Sequence, residues 1–218
     1  NMTHEFKTPI ATIAVSTEVL KNPFIIQNPE RLLNYAMIIE TENTRLKQHV
    51  DRVLQMAKLD KDHIELKKEN VNLHEVIKEV VRGMQAPLHE KKGEIILSME
   101  AVQPVIHADK LHITNVIYNL LDNAIKYCNG NPWITIMTKQ NVKTLLMEIK
   151  DNGIGMHEHD QKKVFQKFYR VPTGNVHNVK GFGLGLDYVK KIVESHKGKV
   201  DLTSAPGQGC LFSIYLPY

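Results

Sequence analysis

Apolar residues in the first third of the chain recur at the spacing of an α-helix. From Glu5 to about Leu20 they fall at spacings of three, four and six, which predicts a helix with one buried stripe. The segment KNPFIIQNPE interrupts this pattern with two prolines. From Glu30 to about Asp62 a near-heptad repeat predicts a second, longer helix. We expect an antiparallel hairpin that dimerises into a four-helix bundle, because one hairpin cannot cover both of its apolar stripes.

The pattern changes near Glu69, and we place a domain boundary at Lys68, between residues 1–68 and residues 69–218. An amphipathic helix is predicted from His74 to Gln85. Beyond it, the helix-like segments are LHITNVIYNLLDNAIKY and LGLDYVKKIVESH, and the strand-like segments are ILSME, WITIM, TLLMEIKD, KVDLTS and CLFSIYL. Strands that outnumber single crossover helices indicate an α/β sandwich, so that the chain as a whole is of the α+β class.

Composition narrows the functional classes. The 218 residues are 42% hydrophobic, which is typical of a globular protein. The formal net charge of +4 arises without a long basic run, and this disfavours nucleic acid as a partner. No stretch approaches the about 18 consecutive apolar residues of a membrane span, and Cys128 and Cys210 form no CxxC pair. We therefore expect a soluble protein in a reducing, cytoplasmic setting.

One predicted helix carries a row of amides. Asn115, Asn119 and Asn123 lie four residues apart and share one face, while the opposite side is apolar. Lys126 and Tyr127 extend the amide face by one turn and add a cation for phosphate and an aromatic plane. Amide oxygens would suit Mg²⁺, which prefers hard oxygen ligands. A solvated helix face rich in asparagine fits this segment equally well.

Two glycine-rich segments follow the amide helix. DNGIGM comes directly after a strand-like run, so that Asp151 lies at a strand end with Gly153 and Gly155 behind it. An ordinary Asp-Asn-Gly turn would look similar. GFGLGL, from Gly181 to Leu186, precedes a helix and is able to direct backbone N–H groups at a phosphate. Its spacing matches neither the P-loop nor the dinucleotide fingerprint, which excludes both of those classes.

Taken in order, the segments resemble those of sensor histidine kinases. HEFKTPI resembles the phosphoacceptor box of that family, NVIYNLLDNAIKY its N box, and FQKFYR its phenylalanine box. DNGIGM, GFGLGL and GQGCLF resemble its three glycine boxes. The resemblance extends over essentially the whole chain. It implies an ATP-binding domain of the histidine kinase, gyrase and chaperone type, with an ATP lid from about Met156 to Lys180.

The resemblance also implies a role for each matching residue of the second domain. Asn123 would hold Mg²⁺, and Asn119 and Lys126 would approach the phosphates of ATP. Tyr127 would lie near the nucleotide, and Asp151 would accept a hydrogen bond from the adenine amino group. The remaining residues that it assigns to the ATP site are Gly153, Gly155, Phe168, Arg170 near the terminal phosphates, Gly181, Gly183, Leu184, Gly185 and Leu186.

Histidine is able to act as a phosphoryl nucleophile because much of it is uncharged at neutral pH. Among the 11 histidines, the resemblance selects His4 as the phosphoacceptor and Glu5 as the base that accepts its proton. Thr8 lies one helical turn after His4 and would orient the water that hydrolyses a phosphorylated partner. Pro9 cannot donate to the carbonyl of Glu5, so we expect the helix to bend there.

These assignments predict Mg-dependent transfer of the γ-phosphoryl group of ATP to His4, followed by transfer to an aspartate of a response regulator receiver domain. Phosphatase activity towards that regulator is a further expectation. The resemblance implies a homodimer, and a connection to a membrane only through segments upstream of this chain. Two alternatives stay open. One is an ATPase clamp, which would lack an HEFKTP-type helix, and the other is a scaffold with a degenerate pocket, against which Asn123 and Asp151 argue.

Overall fold

The computed structural model describes the backbone of residues 2–59, 65–171 and 183–218, and the side chains of all of these except residues 2–5, 48–49 and 51–59. Backbone contacts divide the chain into two compact units. The first contains the helices up to Leu59, and the second contains the strands and helices from Glu69 onward. Within the described ranges, no helix combines the length and the hydropathy that crossing a bilayer requires.

The first unit is a hairpin of two helices, α1 (Met2–Leu20) and α2 (Pro29–Leu59), that pack against each other. A 3₁₀ turn (Pro23–Gln27) occupies the interruption that the prolines predict. Asn28 caps α2, because its Oδ1 accepts a hydrogen bond from the backbone N–H of Arg31 at 3.0 Å. Pro9 lies inside α1, which continues through it. Both predicted helices are confirmed over these ranges, and Asp62 lies outside the described residues.

The second unit contains a sheet flanked by helices. Its strands, within the described ranges, are β1 (Glu69–Asn72), β2 (Glu94–Met99), β3 (Val105–Ala108), β4 (Trp133–Gln140), β5 (Thr144–Asp151), β6 (Lys199–Ser204) and β7 (Cys210–Pro217). Its helices are α3 (Leu73–Gly83), α4 (Gln85–Glu90), α5 (Lys110–Lys126), α6 (Glu158–Gln161) and α7 (Gly185–Ser195).

The main sheet has five strands in the order β2-β4-β5-β7-β6. β2 runs parallel to β4, and the other neighbours are antiparallel. Side chains alternate between the two faces, and those of Ile136, Met147 and Ile214 are at most 1% exposed on the face that α3, α5 and α7 cover. A separate antiparallel pair joins β1 to β3. The predicted α/β sandwich is confirmed.

The second unit differs from the sequence-based expectation at its beginning. The helix predicted from His74 to Gln85 is α3, which ends at Gly83, and α4 follows after Met84, whose φ of −92° and ψ of 0° interrupt the helix. Strands β1 and β3 were not predicted, because each has only four residues and ENVN contains a single apolar side chain. Val71 is 3% exposed and is the one member of β1 that enters the core.

Candidate nucleotide site

The amide face of α5 lies opposite its buried face. Ile117, Leu120 and Leu121 are at most 1% exposed, whereas Asn119 and Asn123 are half-buried. Nδ2 of Asn119 donates to the backbone carbonyl of Asn115 at 2.7 Å, which fixes the orientation of the Asn119 amide. The predicted division of this helix into an apolar and an amide face is therefore observed.

Two side-chain contacts hold the beginning of α5. Asp109 caps the helix, because its Oδ1 accepts the N–H of His112 at 3.1 Å. Its Oδ2 accepts the N–H of Lys67 at 2.8 Å, which ties the residues before β1 to the helix that carries the amides. Burial alone would raise the pKa of Asp109, but the hydrogen bonds from His112 and Lys67 outweigh it and hold this pKa below its ordinary value. Sequence reasoning missed Asp109, although an aspartate before an apolar helical run is a recognisable cap signal.

Asp151 ends β5 and is 7% exposed. Its Oδ1 accepts the backbone N–H of Gly153 at 2.8 Å and that of Cys210 at 3.1 Å. Within the described residues, the Asp151 carboxylate accepts these two hydrogen bonds, and both are accepted by Oδ1. Burial raises the pKa of Asp151, while the two backbone N–H groups act in the opposite direction. The carboxylate is therefore held in a fixed orientation beside the end of α5.

The turn after Asp151 fits closely between two other segments. The N–H of Ile154 donates to the carbonyl of Tyr127 at 3.0 Å, at the end of α5. A Cβ on Gly153 would lie 2.9 Å from that same carbonyl oxygen. Gly155 has a φ of +64°, and a Cβ there would lie 1.9 Å from the carbonyl oxygen of Ala205. Both glycines are thus required by close backbone approach, and Gly155 also by its left-handed conformation.

Tyr127 and Lys126 mark the end of the amide helix. The guanidinium of Arg170 lies close enough to the hydroxyl of Tyr127 to affect its pKa. Burial raises the pKa of Tyr127, and Arg170 offsets part of that increase. Nζ of Lys126 lies 2.5 Å from Oδ2 of Asp122, one turn earlier on the same helix. The structure therefore brings Arg170 to the end of α5 and gives Lys126 an acidic partner that sequence reasoning did not consider.

The glycine segment before α7 is held by the turn that carries Phe168. The N–H of Phe168 donates to the carbonyl of Gly183 at 2.9 Å, and Phe168 itself has a φ of +65°. Gly183 has a φ of +67°, and a Cβ there would lie 2.6 Å from the carbonyl oxygen of Tyr169. A Cβ on Gly185 would lie 2.9 Å from Oδ1 of Asn119, so that α7 begins against the amide face. Leu184 is buried and Leu186 is half-buried beside it, and Gly181 lies outside the described residues.

Asn152 is a further structural residue that sequence reasoning missed. Its Oδ1 accepts the N–H of Trp133 at 2.8 Å and the thiol of Cys128 at 3.3 Å. Its Nδ2 donates to the carbonyl of Asn131 at 3.1 Å. These contacts fasten the connection between α5 and β4 to the turn that begins with Asp151. The asparagine of the DNG sequence was a visible signal, because Asn side chains commonly bond nearby backbone.

In the first unit, His4 and Glu5 belong to the helical backbone of α1, and their side chains lie outside the described residues. Thr8 is exposed one turn further along, and its carbonyl accepts the hydroxyl of Thr12 at 3.1 Å. Among the described residues, no three His, Cys, Asp or Glu side chains assemble into a metal-binding group.

The chain consists of a helical hairpin followed by an α/β sandwich. The sandwich carries the amide helix, the aspartate turn and the glycine segments, and this arrangement is typical of the α/β sandwich ATPase class. Two family descriptions match the chain. The His Kinase A (phospho-acceptor) domain matches residues 1–62, and the Histidine kinase-, DNA gyrase B-, and HSP90-like ATPase matches residues 108–218, which is more than half of the chain. The chain belongs to this ATPase family and, with the preceding His Kinase A match, to the sensor histidine kinases of two-component systems.

Curated relatives and solved structures agree with this placement. Sensor protein RprX of Bacteroides fragilis (strain YCH46) is 44% identical over 223 residues, which include all of this chain and 42% of that protein. Sensor histidine kinase YclK of Bacillus subtilis (strain 168) is 31% identical over 219 residues and is covered to 45%. The chain thus spans less than half the length of these relatives.

Full-length ShkA in complex with AMPPNP has the same fold. Its TM-score is 0.74 at 23% identity, over 86% of this chain and 39% of that one. ThkA in complex with the response regulator protein TrrA has a TM-score of 0.74 at 22% identity, over 99% of this chain and 59% of that one. The resemblance to sensor histidine kinases that the sequence motifs indicate is confirmed.

Proposed function

We propose that this chain is a histidine autokinase core, which transfers the γ-phosphoryl group of ATP to His4 in a Mg-dependent step and then to an aspartate of a response regulator. The observation that carries this proposal is the buried, oriented carboxylate of Asp151, whose following turn contacts the end of α5 at Tyr127. A buried carboxylate oriented by two backbone N–H groups is suited to recognise a donor such as the adenine amino group. The match of residues 1–62 to a phospho-acceptor domain supports the proposal that His4 receives the phosphoryl group.

Each part of the nucleotide has a proposed partner in the second unit. Oδ2 of Asp151 would accept from the adenine amino group, and Tyr127 would lie beside the nucleotide. Asn119 and Lys126 would contact the phosphates, with Arg170 near the terminal ones. Glycines of the two glycine segments would allow the backbone to approach the nucleotide: Gly153, Gly155, Gly181, Gly183 and Gly185. Phe168, Leu184 and Leu186 would complete the lining of the ATP site.

The amide oxygen of Asn123 fits Mg²⁺, because this ion takes hard oxygen ligands and retains waters that it shares with phosphates. Bound there, the ion would neutralise charge on the phosphates, which is the main requirement of phosphoryl transfer. Asn123 is half-buried on the amide face, so that the residue is still accessible to a ligand. No acidic cluster is needed for this arrangement.

His4 supplies the lone pair for the first transfer. A ring nitrogen of His4 attacks the γ-phosphorus, a P–N bond forms, and the bond to the β–γ bridging oxygen breaks as ADP leaves with its electron pair. Glu5 accepts the ring proton. In the second transfer, a carboxylate oxygen of the regulator attacks the same phosphorus, the P–N bond breaks, and His4 regains its proton. We propose that the domain boundary lies close to Lys68, between residues 1–68 and residues 69–218, and that the linker there allows the movement that these steps require.

We further propose that the hairpin dimerises into a four-helix bundle. In the single chain, Ile10, Val15, Leu33 and Met37 are between 50% and 64% exposed along α1 and α2. Burying such side chains against a second copy would contribute about 1.5–3 kcal/mol for each fully buried one.

The complex of ThkA with its response regulator supports the proposed partner, and Thr8 would orient the water for hydrolysis of the phosphorylated regulator. From the family resemblance we also propose that the chain is the cytoplasmic core of a longer, membrane-linked sensor.

The autokinase reaction is tested by incubation with γ-labelled ATP and Mg²⁺. We expect a labelled protein whose label is lost in acid, because a phosphohistidine bond is acid-labile. The variant His4→Gln should carry no label, whereas His89→Gln, which changes an exposed histidine of α4, should be labelled as the wild type. Label that persists in His4→Gln contradicts the assignment of His4. Release of free phosphate without labelled protein would instead indicate an ATPase clamp.

The phosphatase role of Thr8 has its own test. Thr8→Ala should slow hydrolysis of the phosphorylated regulator more than it slows labelling of His4, because only hydrolysis needs an oriented water. Thr12→Ala, one turn further along α1, serves as the control. Equal loss of both activities in Thr8→Ala would contradict this role.

A further inference from the structure

Asp160 is a buried carboxylate that the proposed mechanism does not use. It belongs to the short helix α6 and is 2% exposed. The hydroxyl of Tyr169 donates to its Oδ1 at 2.5 Å, and Nε2 of His159 lies 3.3 Å from its Oδ2. Because a buried carboxylate is costly without partners, these contacts are what allow it to remain there. The hydrogen bond to Tyr169 also raises the pKa of the Tyr169 hydroxyl.

The segment between Asp160 and Tyr169 is anchored to the sheet. Val164 is 6% exposed, and the ring of Phe165 meets that of Phe212 on β7 edge to face, with centroids 6.5 Å apart. The N–H of Val164 donates to the carbonyl of Asp160 at 2.9 Å, and that of Tyr169 to the carbonyl of Gln166 at 3.1 Å. The two apolar side chains fix the middle of the segment, and Asp160 fixes its end at Tyr169.

Tyr169 lies between the two residues that touch the candidate nucleotide site. On one side, the N–H of Phe168 donates to the carbonyl of Gly183, in front of α7. On the other side, the guanidinium of Arg170 lies close to the hydroxyl of Tyr127 at the end of α5 and acts to lower its pKa. Phe168 has a φ of +65°, a strained value for a residue with a bulky side chain. Such a conformation persists only where neighbouring contacts enforce it.

We propose that Asp160 is a positioning residue of the nucleotide site, which holds Tyr169 so that Phe168 reaches Gly183 and Arg170 reaches Tyr127. The inference rests on the proposed function, since it concerns how the ATP site is assembled. Without the carboxylate, the end of the segment is free to relax the strained Phe168. Both neighbouring contacts then weaken together, although neither residue is altered.

Four variants test the inference: Asp160→Ala, Tyr169→Phe, the double variant, and Asp160→Asn, which keeps an oxygen acceptor for the Tyr169 hydroxyl. Glu158→Ala is the control, because Glu158 lies on the same short helix and its side chain is 83% exposed. The measurements are the dissociation constants of ATP and ADP, the rate of His4 labelling at saturating ATP, and the exchange rate of the Phe168 amide proton by NMR.

We expect Asp160→Ala and Tyr169→Phe each to weaken ATP binding about tenfold, which is the effect of one hydrogen bond to a charged group. ADP binding should weaken less, because Arg170 is proposed to lie near the terminal phosphates. The double variant should be no worse than the more affected single variant, and Asp160→Asn should recover most of the affinity. The Phe168 amide should exchange about tenfold faster in the affected variants and at the wild-type rate in Glu158→Ala.

The outcomes separate the two proposals. A wild type that binds no ATP overturns the proposed function and the positioning role with it. A wild type that binds ATP, with Asp160→Ala binding equally well or its Phe168 amide unchanged, overturns the positioning role alone. Additive losses in the double variant, or no recovery in Asp160→Asn, likewise overturn it, because they would indicate two separate structural defects.

Discussion

The backbone N–H of Asp109 donates a hydrogen bond to Nε2 of His196 at 2.9 Å, across 87 residues of sequence. Nδ1 of His196 lies 2.8 Å from the carbonyl oxygen of Ile192. A neutral ring with its proton on Nδ1 satisfies both contacts, and the side chain is 3% exposed. This ring joins the beginning of α5, the helix that carries the amide face, to the end of α7, the helix that follows the glycine segment.

Because His196 is buried in this contact, we expect the free energy of unfolding of the second unit to fall in mild acid. Burial lowers the pKa of His196 below its ordinary value of 6.5, so that the unfolded chain binds a proton in a pH range where the folded chain does not. Unfolding therefore becomes easier as the pH falls through 6.5 towards the folded pKa. His74, whose pKa is lowered mainly by burial, acts in the same direction. We expect a lower melting temperature of the second unit at pH 5.5 than at pH 7.5 by calorimetry.

The variant His196→Gln isolates this contribution. It should be less stable than the wild type at pH 7.5, because the buried contacts are lost, but its melting temperature should depend less on pH. His89→Gln, at an exposed position, should keep the wild-type dependence. A pH dependence in His196→Gln as steep as that of the wild type would show that other groups cause it.

Asp151→Asn should weaken nucleotide binding without unfolding the sandwich. Asparagine keeps an oxygen for the N–H groups of Gly153 and Cys210, but it places an N–H₂ group where the adenine amino group is proposed to donate. We expect ATP and ADP affinity to fall together by about 10- to 100-fold in calorimetric titrations. Asp201→Asn, on β6, is the control. A loss confined to ATP would contradict an adenine contact, since both nucleotides carry the same base.

Gly155→Ala should be far more destabilising than Gly207→Ala. Both glycines have positive φ, +64° and +75°, so both substitutions carry the backbone strain of about 1–2 kcal/mol. Only Gly155 also lacks room, because the new Cβ would lie 1.9 Å from the carbonyl oxygen of Ala205, whereas nothing lies within 4 Å at Gly207. Urea unfolding should show an additional loss of about 1–3 kcal/mol for Gly155→Ala. Equal losses would refute the close approach of Gly155 to Ala205.

Asp122→Asn should strengthen ATP binding. Asp122 pairs with Lys126 in the free protein and competes with the phosphates that Lys126 is proposed to contact. Removing its charge should raise ATP affinity about threefold at low salt, and the gain should shrink as salt screens the charges. Glu75→Gln removes the equivalent partner of Lys78 on α3 and should leave the affinity unchanged. Weaker binding by Asp122→Asn would mean that Asp122 itself supports the site.

Local patterns were sufficient for much of the fold. The bounds of β5 and β6 agree residue by residue with the strand-like segments TLLMEIKD and KVDLTS, because alternation continues to the turn residues at each end. The amide face of α5 could be predicted because helical spacing alone separates Asn119 from Leu120. By contrast, β1 and β3 depend on pairing with each other across α3, α4 and β2, and no local signal replaces that pairing.

The candidate site shows the same limit. The sequence motifs identify Asp151, but the N–H of Cys210 that orients it comes from a strand at the other end of the domain. The contact of Asp160 with Tyr169 is equally invisible in a motif, because it pairs ordinary polar residues whose burial and rotamers are decided by packing. The pair of Asp122 and Lys126 was overlooked, although its i,i+4 spacing on a predicted helix is a readable signal. The residue types of a candidate site are thus easier to recognise in a sequence than the contacts that hold them in place.

The interior position of β7, between β5 and β6, has a consequence for synthesis of the protein on the ribosome. Among the described strands β7 comes last in chain order, yet it supplies Cys210 to Asp151 and Phe212 to the segment that ends at Tyr169. Until it has emerged, β5 lacks one of its two neighbouring strands and the carboxylate of Asp151 lacks one of its two donors. The helical hairpin is complete much earlier in translation. A nascent chain therefore presents the helix that carries His4 well before it has assembled the site proposed to bind ATP.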